Sequence, residues 1–301
     1  MLQLKILQEA PQNAIPYPLL VHSTSSKGSV MSSSPPSPFD HSSDPHFLSY
    51  YAEASLSEVT RGRFERVRDA ALALLAEHGA AGQPLVILDI GCGAGAQALL
   101  WAELGHRVCG LDVNEPLITL GRERAREKGL VIDFRIGTAT QLPFEKESAD
   151  VVLLPELLEH VAEWEACLSE AVRVLRPGGL LYLSTTNKLC PKQQEFTLPA
   201  YSWYPPPVKR WCVRKSLTTH PQWANYARYP AVNWFSYYEL RDWLKRRGMN
   251  PLDRFDILSR KPLPATARLL VKALRAIPPL RFMAHVATPD STVWAFKDNR
   301  S

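Results

Sequence analysis

The sequence predicts an α/β fold built on one doubly wound, mainly parallel sheet. Three observations predict it: short apolar strands alternate with helical segments from Val86 onward, a glycine-rich turn follows the first of these strands, and Asp112 ends the second. Strand–helix–strand units at such short intervals need right-handed crossovers, which place helices on both faces of a sheet. The chain has 301 residues and is 46% hydrophobic, enough for a packed core.

The chain begins with a segment that differs in composition from the rest. Residues 1–44 are rich in Ser and Pro, as in SSSPPSPFDHSSDP, and are predicted to be a flexible tail before one domain over 45–301. The first 30 residues contain no Arg and lack a positive flank before an apolar core, so neither a transit peptide nor a secretory signal is expected. Met31 is an alternative start that the sequence leaves open.

Composition excludes several classes of protein. The net charge of +5 is too modest to indicate a nucleic-acid binder by itself. The five cysteines are scattered without a C-x-x-C pair, which is typical of reduced thiols in a cytoplasmic protein. No apolar run approaches the roughly 18 residues that a transmembrane helix needs.

Periodicity places the elements in order. Apolar residues at three- and four-residue spacing predict a helical cap over 45–79, which Gly79 and Gly82 end. Strands are predicted near 85–90, 107–112, 131–136, 149–154, 178–185 and 291–296, and helices near 95–104, 115–128, 163–176 and 264–277. The segment 186–235 is too long for an ordinary connection and is predicted to be a lid or binding loop.

The turn after the first strand has the composition of a ligand cradle. Gly91, Gly93 and Gly95 permit a tight turn in which a ligand lies against backbone N–H groups at the start of a helix. Asp89 lies two residues before the first glycine, and Asp112 can accept both hydroxyls of a ribose. Nicotinamide and flavin folds use similar glycines, whereas the absence of G-K-[ST] disfavours a triphosphate-binding loop.

The motifs LDIGCGAG, GLDV, LPF, ELLEHV and VLRPGG, in this order and spacing over roughly residues 45–300, resemble the class I S-adenosylmethionine (SAM)-dependent methyltransferases. The resemblance implies a Rossmann-like seven-stranded sheet with a reversed last strand, and SAM as the cofactor. It implies that the glycine turn lies alongside the amino-acid half of SAM, that Asp112 holds the ribose, and that Thr138 and Ala139 flank the adenine. Relatives often carry an acidic residue where this chain has Thr138, so a hydroxyl or backbone contact would replace it. The full predicted cofactor-binding set is Asp89, Gly91, Cys92, Gly93, Gly95, Asp112, Val113, Thr138, Ala139 and Leu154.

The ELLEHV motif suggests a second chemistry. If the segment is helical, Glu156, Glu159 and His160 stand at i, i+3 and i+4 on one face. Such a set can hold Mg²⁺, Mn²⁺ or Zn²⁺, His160 can act as a general base without metal, or the motif can be scaffold. ELLEHV looks most like the O-methyltransferases of ubiquinone biosynthesis. Glu156, His160 and Asn187 are the candidate catalytic residues.

The predicted lid is the only segment of the sequence that indicates what kind of acceptor is bound. It mixes aromatic residues with Lys209, Arg210, Arg214 and Lys215, which suits a peripheral site on the cytoplasmic membrane face or the wall of a closed pocket for a soluble acceptor. Asn233 and His220 are further candidates there. Methyl transfer to a hydroxyl of a small, lipophilic phenol or quinol is the expected reaction. Carbon methylation, sugar or natural-product O-methylation, RNA 2′-O-methylation and a non-catalytic SAM-binding subunit are the alternatives.

Overall fold

The computed structural model describes residues 53–299 except 54, 81, 194–195, 225–230 and 232. The predicted tail over 1–44 and the start of the predicted helical cap lie outside these residues. The rest of the cap forms helix α1 (Glu58–Glu77), which begins where the Ser57 side chain accepts a hydrogen bond from the Thr60 N–H.

The predicted alternation of strands and helices is confirmed. The strands are β1 (Val86–Ile90), β2 (Arg107–Asp112), β3 (Asp133–Ile136), β4 (Ala149–Pro155), β5 (Leu175–Thr186), β6 (Met249–Asp253) and β7 (Asp290–Lys297). The helices after α1 are α2 (Ala96–Ala102), α3 (Glu115–Glu127), α4 (Trp164–Val174), α5 (Pro206–Thr218), α6 (Tyr237–Lys245), α7 (Arg254–Leu258), α8 (Ala265–Ala276) and α9 (Pro278–Val286). Single 3₁₀ turns span Leu158–His160, Tyr201–Trp203 and Pro221–Trp223.

The seven strands form one sheet in the order β3-β2-β1-β4-β5-β7-β6. Strands β1 to β5 pair in parallel, and β7 runs antiparallel to both of its neighbours, β5 and β6. The doubly wound sheet with a reversed last strand is therefore confirmed. Because β7 is antiparallel to both neighbours, the carboxyl end of β6 lies at the same sheet edge as the carboxyl ends of β1 to β5. We call this the carboxyl edge.

The core has two parts, one on each face of the sheet. Successive residues of β4 alternate between them, since Val152 and Leu154 join one buried cluster and Val151 and Leu153 join the other. Both clusters include residues of β1, so the strand that leads into the glycine turn is buried on both faces. The carboxyl edge is thus supported from both sides.

Two long connections leave the carboxyl edge. The β5–α6 connection (residues 187–236) contains α5 and a small apolar cluster of its own, centred on Phe196, Tyr201 and Cys212. The β6–β7 connection (residues 254–289) contains α7, α8 and α9. All five cysteines are free thiols, as predicted. Within the described residues, no helix combines the length and apolar character needed to cross a bilayer.

Candidate functional site

The glycine turn begins directly after β1 and bends back toward β2. The N–H groups of Gly91 and Cys92 both donate to the Leu111 carbonyl, at 2.7 and 3.2 Å. The Gly95 N–H donates to the Cys92 carbonyl at 2.9 Å, and Gly95 is the N-cap of α2. The turn therefore presents the first N–H groups of α2 at the carboxyl edge, where a ligand can reach them.

Close packing makes glycine necessary at two positions of this turn. Gly91 has φ 72°, and a Cβ there would lie 2.8 Å from Cδ1 of Leu157. Gly95 has φ 76°, and its Cβ would lie 2.5 Å from Cζ of Phe134. Since both a left-handed conformation and a close neighbour oppose a side chain, these positions admit only glycine without rearrangement.

Asp89 is buried without a hydrogen-bond partner. Its side chain is 0% exposed, and neither carboxylate oxygen has a partner in the structure. Burial, with a smaller effect of the charge of Asp112, raises the pKa of Asp89 to about 7, and the backbone N–H of Ala98 in α2 counteracts only part of this rise. In the described part of the chain, the buried side-chain atoms without a partner all belong to Asp89, Gln97 and Trp101, around the glycine turn and α2. A buried, unpartnered carboxylate is costly in the free protein, which indicates a site prepared for a cationic or hydrogen-bonding ligand.

Asp112, by contrast, is oriented by the backbone. One of its carboxylate oxygens accepts from the Gly93 N–H at 2.8 Å and the other from the Asn114 N–H at 2.9 Å. Burial raises the pKa of Asp112, and the hydrogen bonds from these N–H groups counteract part of that effect. Each oxygen retains a lone pair, so the carboxylate can still accept hydrogen bonds from a pair of hydroxyls. Val113, the next residue, is 68% exposed.

Arg124 fixes the glycine turn from behind, a role that the sequence did not reveal. This largely buried side chain of α3 donates through Nη1 to the Ala94 carbonyl at 3.2 Å and to the Ser55 hydroxyl at 3.0 Å. It thereby ties the turn to the segment before α1. Its only sequence signal is a basic residue on a helix that is otherwise amphipathic.

The remaining predicted cofactor residues have different surroundings. Thr138 is exposed, and its hydroxyl lies 2.8 Å from that of Thr140, whereas Ala139 is buried. Cys92 is half-buried and packs against the core. The Leu154 side chain is 0% exposed and packs within the core, so the place of Leu154 in the cofactor site stays a prediction.

The ELLEHV segment does not form the predicted helix. The Glu156 N–H donates to the Ser184 carbonyl at 2.8 Å, which extends the pairing of β4 with β5 by one residue. Glu156 then takes φ 51°, a left-handed conformation that no helix continues through, and only Leu158–His160 form a 3₁₀ turn. The prediction of one helical face bearing Glu156, Glu159 and His160 is therefore wrong.

The three side chains of this motif lie in three different surroundings. Glu156 is exposed and forms an ion pair with Arg63 of α1. Glu159 is 2% exposed and accepts a hydrogen bond from the Thr185 hydroxyl at 2.7 Å. His160 is exposed. Within the described residues, no group of three or more His, Cys, Asp or Glu side chains could hold a metal ion, so the predicted three-residue metal site is not formed.

The turn that carries His160 is held firmly. The Asn233 side chain donates to the Leu158 and Val161 carbonyls at 3.3 and 2.6 Å, and the Asn233 N–H donates to the Glu159 carbonyl at 3.1 Å. Asn233 therefore positions the turn. Arg63 and Thr185, which contact Glu156 and Glu159, lie outside the motifs, and no sequence pattern singles them out.

Asn187, a candidate acceptor residue, has a structural role in this fold. It is 1% exposed, and its side-chain amide nitrogen donates to the His285 and Thr288 carbonyls at 2.8 and 2.7 Å. Its side-chain oxygen accepts from the Leu189 N–H at 3.0 Å. Its hydrogen-bonding capacity is thus used to join the end of β5 to the end of α9, and the predicted catalytic role is wrong.

The aromatic residues of the β5–α6 connection divide into inward and outward sets. Tyr201 stacks on Phe196 with ring centroids 4.1 Å apart, and the Lys209 ammonium lies 4.6 Å from the Trp234 ring centroid. Trp203 and Trp211 are 58% and 47% exposed. The His220 ring lies 4.4 Å from the Trp223 ring, and Tyr226 and Tyr229 lie outside the described residues.

Comparison with known proteins agrees with this architecture. Residues 88–183, which run from β1 through β5, match the family described as a methyltransferase domain. This part of the chain, which carries the glycine turn and Asp112, is therefore similar to a methyltransferase domain. A ubiquinone biosynthesis O-methyltransferase of Cereibacter sphaeroides is 36% identical over 172 residues, which cover 57% of this chain and 63% of the relative.

Two further similarities extend the comparison. A ubiquinone biosynthesis O-methyltransferase of Roseobacter denitrificans is 38% identical over 170 residues, covering 56% of this chain and 62% of the relative. The chain thus spans somewhat under two thirds of the length of these relatives. The solved structure of a SAM-dependent methyltransferase from Methanosarcina mazei has a TM-score of 0.45 and 21% identity, covering 74% of this chain and 97% of that one.

The residues around the glycine turn fit SAM. The cofactor carries a positive sulfonium and an ammonium group, and the buried Asp89 carboxylate lacks the partner that a cation would supply. The cofactor also carries a ribose, and Asp112 has a fixed carboxylate with free acceptor capacity at the end of β2. The glycine turn admits a ligand against its backbone because no side chain occupies positions 91, 93 and 95.

Proposed function

We propose that this protein transfers a methyl group from SAM to a hydroxyl oxygen of a small phenol- or quinol-type acceptor. The observation that carries the proposal is the pair of carboxylates beside the glycine turn, Asp89 without a partner and Asp112 fixed by two N–H groups. The similarity to ubiquinone biosynthesis O-methyltransferases supports oxygen as the acceptor atom and an aromatic hydroxyl as its class.

In this proposal each carboxylate has a distinct task. Bound SAM supplies an activated methyl group on a positively charged sulfur. Asp112 accepts hydrogen bonds from the ribose hydroxyls, and its orientation is set in advance by Gly93 and Asn114, so little entropy is lost on binding. Asp89 supplies negative charge in a buried site, where its attraction for a cation is strong.

His160 is the proposed proton acceptor for the incoming hydroxyl. A phenol has a pKa near 10, so at neutral pH its oxygen gains nucleophilicity when a base removes the proton. His160 follows β4 at the carboxyl edge, is exposed, and lies on a turn that Asn233 holds at three points. A fixed backbone limits the loss of entropy when the imidazole meets the acceptor.

A turnover assay that detects S-adenosylhomocysteine, with catechol as the first acceptor, tests this function. We expect Asp112→Ala to raise the KM for SAM, and His160→Ala to lower kcat about 10²- to 10⁴-fold with unchanged SAM affinity. The rate of His160→Ala should also rise more steeply with pH, because hydroxide or the ionised acceptor then replaces the base. His220→Ala, which alters a histidine stacked near Trp223, is the matched control and should leave kcat unchanged.

Several outcomes would count against the proposal. Unchanged kcat in His160→Ala would remove the histidine as the base. Methyl groups found on carbon in the product would contradict oxygen transfer. The proposal assigns proton transfer to His160 and not to a bound cation, so turnover should be unaffected by EDTA; inhibition by EDTA that Mg²⁺, Mn²⁺ or Zn²⁺ reverses would contradict it.

A further inference from the structure

The β6–β7 connection has an unusual charge. From Ile257 to Pro289 the sequence contains no Asp or Glu and six basic residues, which are Arg260, Lys261, Arg268, Lys272, Arg275 and Arg281. This stretch therefore carries +6, while the whole chain carries +5, so all other residues together carry −1. The β5–α6 connection (187–236) carries a similar charge, with seven basic residues and one acidic residue, so the positive charge of the protein lies in the two connections that leave the carboxyl edge.

The same connection exposes large apolar side chains. Six of them are more than a third exposed within the fifteen residues from 269 to 283, namely Leu269, Leu270, Ile277, Leu280, Phe282 and Met283. Scattered single exposures are ordinary on protein surfaces, but a contiguous set on two adjacent helices indicates a binding surface. We call these six residues, with Arg268 and Lys272, the hairpin surface.

Basic and apolar residues are arranged side by side on α8. Arg268 and Lys272 are four residues apart and share a face, and Leu269 and Leu270 lie beside that face. A cavity of about 180 Å³ lies beneath, lined by Ser259, Lys261, Leu263, Arg268, Val271, Lys272 and Arg275. Arg275 is paired with Asp256, whereas Lys261, Arg268 and Lys272 have no acidic partner within the described residues. Free cations around a cavity next to apolar side chains suit a phosphate group attached to a lipid.

Helices α8 and α9, which follow one another as a helical hairpin, are fixed to the carboxyl edge of the sheet. Arg281 of α9 donates to Asp253 at 2.7 Å and to Asp256 at 2.6 Å, and His285 Nε2 lies 2.8 Å from Asp253. Asn187, at the end of β5, holds the carbonyl of His285. A surface bound by α8 and α9 would therefore lie beside the carboxyl edge that carries the glycine turn and His160.

We propose that the hairpin surface docks the protein onto a bilayer that contains anionic phospholipids. The exposed apolar side chains enter the headgroup region, and the free cations of α8 contact lipid phosphates. The sequence suggested the β5–α6 connection as the membrane contact, with the basic helix near 264–277 suiting that role too. The β5–α6 connection is also basic and contains no Asp or Glu from Phe196 to Tyr238, but many of its aromatic residues pack on one another, whereas the six apolar side chains of the hairpin surface are exposed. The charge of the hairpin selects an anionic surface over a neutral one.

Vesicle co-sedimentation with the full chain tests this proposal. We expect binding to phosphatidylglycerol-containing vesicles, little binding to pure phosphatidylcholine vesicles, and weakening with salt. The double variants Arg268→Glu/Lys272→Glu and Leu269→Glu/Leu270→Glu should each weaken binding about tenfold or more. Lys245→Glu/Arg246→Glu makes the same charge change just before β6, at the opposite edge, and should bind as the wild type does.

The control measurements separate this proposal from its rivals and from the proposed function. All variants should keep the wild-type melting temperature and SAM affinity, because these side chains are exposed and lie outside the cofactor site. Equal binding to both vesicle types, or an equal loss in the Lys245/Arg246 variant, would overturn the proposal. So would inorganic phosphate that binds the hairpin without any vesicle binding, or a dimer that the Leu269/Leu270 variant dissociates.

Discussion

Asp89 and Asp253 are both fully buried aspartates near the carboxyl ends of strands, Asp89 in β1 and Asp253 at the end of β6. Asp253 accepts from the N–H groups of Phe255 and Asp256, at 2.9 and 3.0 Å, and its carboxylate also contacts Arg281 and His285. Asp89 has no hydrogen-bond partner. Burial is equal at the two positions, so the difference between them lies in the donors that the fold supplies.

The two carboxylates consequently have opposite pKa shifts. Burial pushes the pKa of each upward, but at Asp253 the hydrogen bonds from His285 and Arg281 outweigh burial and hold the pKa well below its usual range. At Asp89 burial and the charge of Asp112 raise the pKa to about 7. Asp253 is thus a structural anchor for α9, and Asp89 is a carboxylate whose partner must come from outside the chain.

The largest expected effect is the loss of the anchor. Asp253→Asn keeps the shape of the side chain but leaves His285 without its anion and Arg281 with Asp256 alone, and it should lower the free energy of unfolding by about 3–5 kcal/mol. Asp242→Asn, at an exposed aspartate paired with Arg241, is the control and should change it by less than about 1 kcal/mol. Denaturant unfolding measures both. Equal small losses would mean that the Asp253 network does not stabilise the fold.

Neutralising Asp89 should raise the free energy of unfolding, whereas neutralising Asp253 lowers it. The folded state keeps the Asp89 proton up to about pH 7, whereas the unfolded state releases it near pH 4, so this group makes stability fall as pH rises between these values. At pH 8, Asp89→Asn should therefore have a higher melting temperature than the wild type. Its free energy of unfolding should exceed that of the wild type by at most about 4 kcal/mol. The advantage should shrink as pH falls toward 4.

Calorimetric melting of the ligand-free protein across this pH range checks the Asp89 prediction. Glu145→Gln, at an exposed carboxylate, supplies the control for the loss of one charge. If Asp89→Asn were less stable than the wild type at pH 8, Asp89 would have to be satisfied within the fold, and the contrast with Asp253 would disappear.

A smaller effect should separate two glycines with similar backbones. Gly95 and Gly105 have φ values of 76° and 81°, but a Cβ at Gly105 has no neighbour within 4 Å, whereas at Gly95 it meets Phe134. Gly95→Ala should cost about 3 kcal/mol, from strain and overpacking together, and Gly105→Ala about 1 kcal/mol, from strain alone. Urea unfolding of the two variants gives the difference, and equal costs would show that Phe134 yields freely.

The smallest expected effect concerns the turn that carries His160. Thr185→Val keeps the shape of a buried side chain but removes the hydroxyl that donates to Glu159, and it should cost about 1–2 kcal/mol of stability. Thr197→Val, which removes an exposed hydroxyl from the β5–α6 connection, is the control. A loss in Thr185→Val no greater than in the control would show that this hydrogen bond does not hold the turn.

The parts of the fold that the sequence predicts are those set by local pattern. The glycine turn and Asp112 were located correctly because turn geometry and strand alternation are determined by residues that are consecutive in the sequence. The ELLEHV segment was misjudged because its backbone is determined by pairing with Ser184, 28 residues away. Asn187 was misjudged for the same reason, since its partners lie 98 and 101 residues further on.

Other features had no clear sequence signal. Strand β6 reads MNPLD, which lacks the alternation of a strand and is defined instead by its pairing with β7. Arg63 lies on a helix with many charged residues, and only the folded structure shows that it pairs with Glu156. Long-range pairing therefore decides the acceptor side of the site, whereas local sequence decides the cofactor side.

Calorimetric titration of SAM into the wild type and Asp89→Asn tests the central claim, that the unpartnered Asp89 carboxylate is completed by a cationic cofactor. The account predicts that the wild type binds SAM and that Asp89→Asn binds at least about tenfold more weakly while its fold is intact and more stable at pH 8. Equal affinities for SAM in the two proteins would contradict the claim.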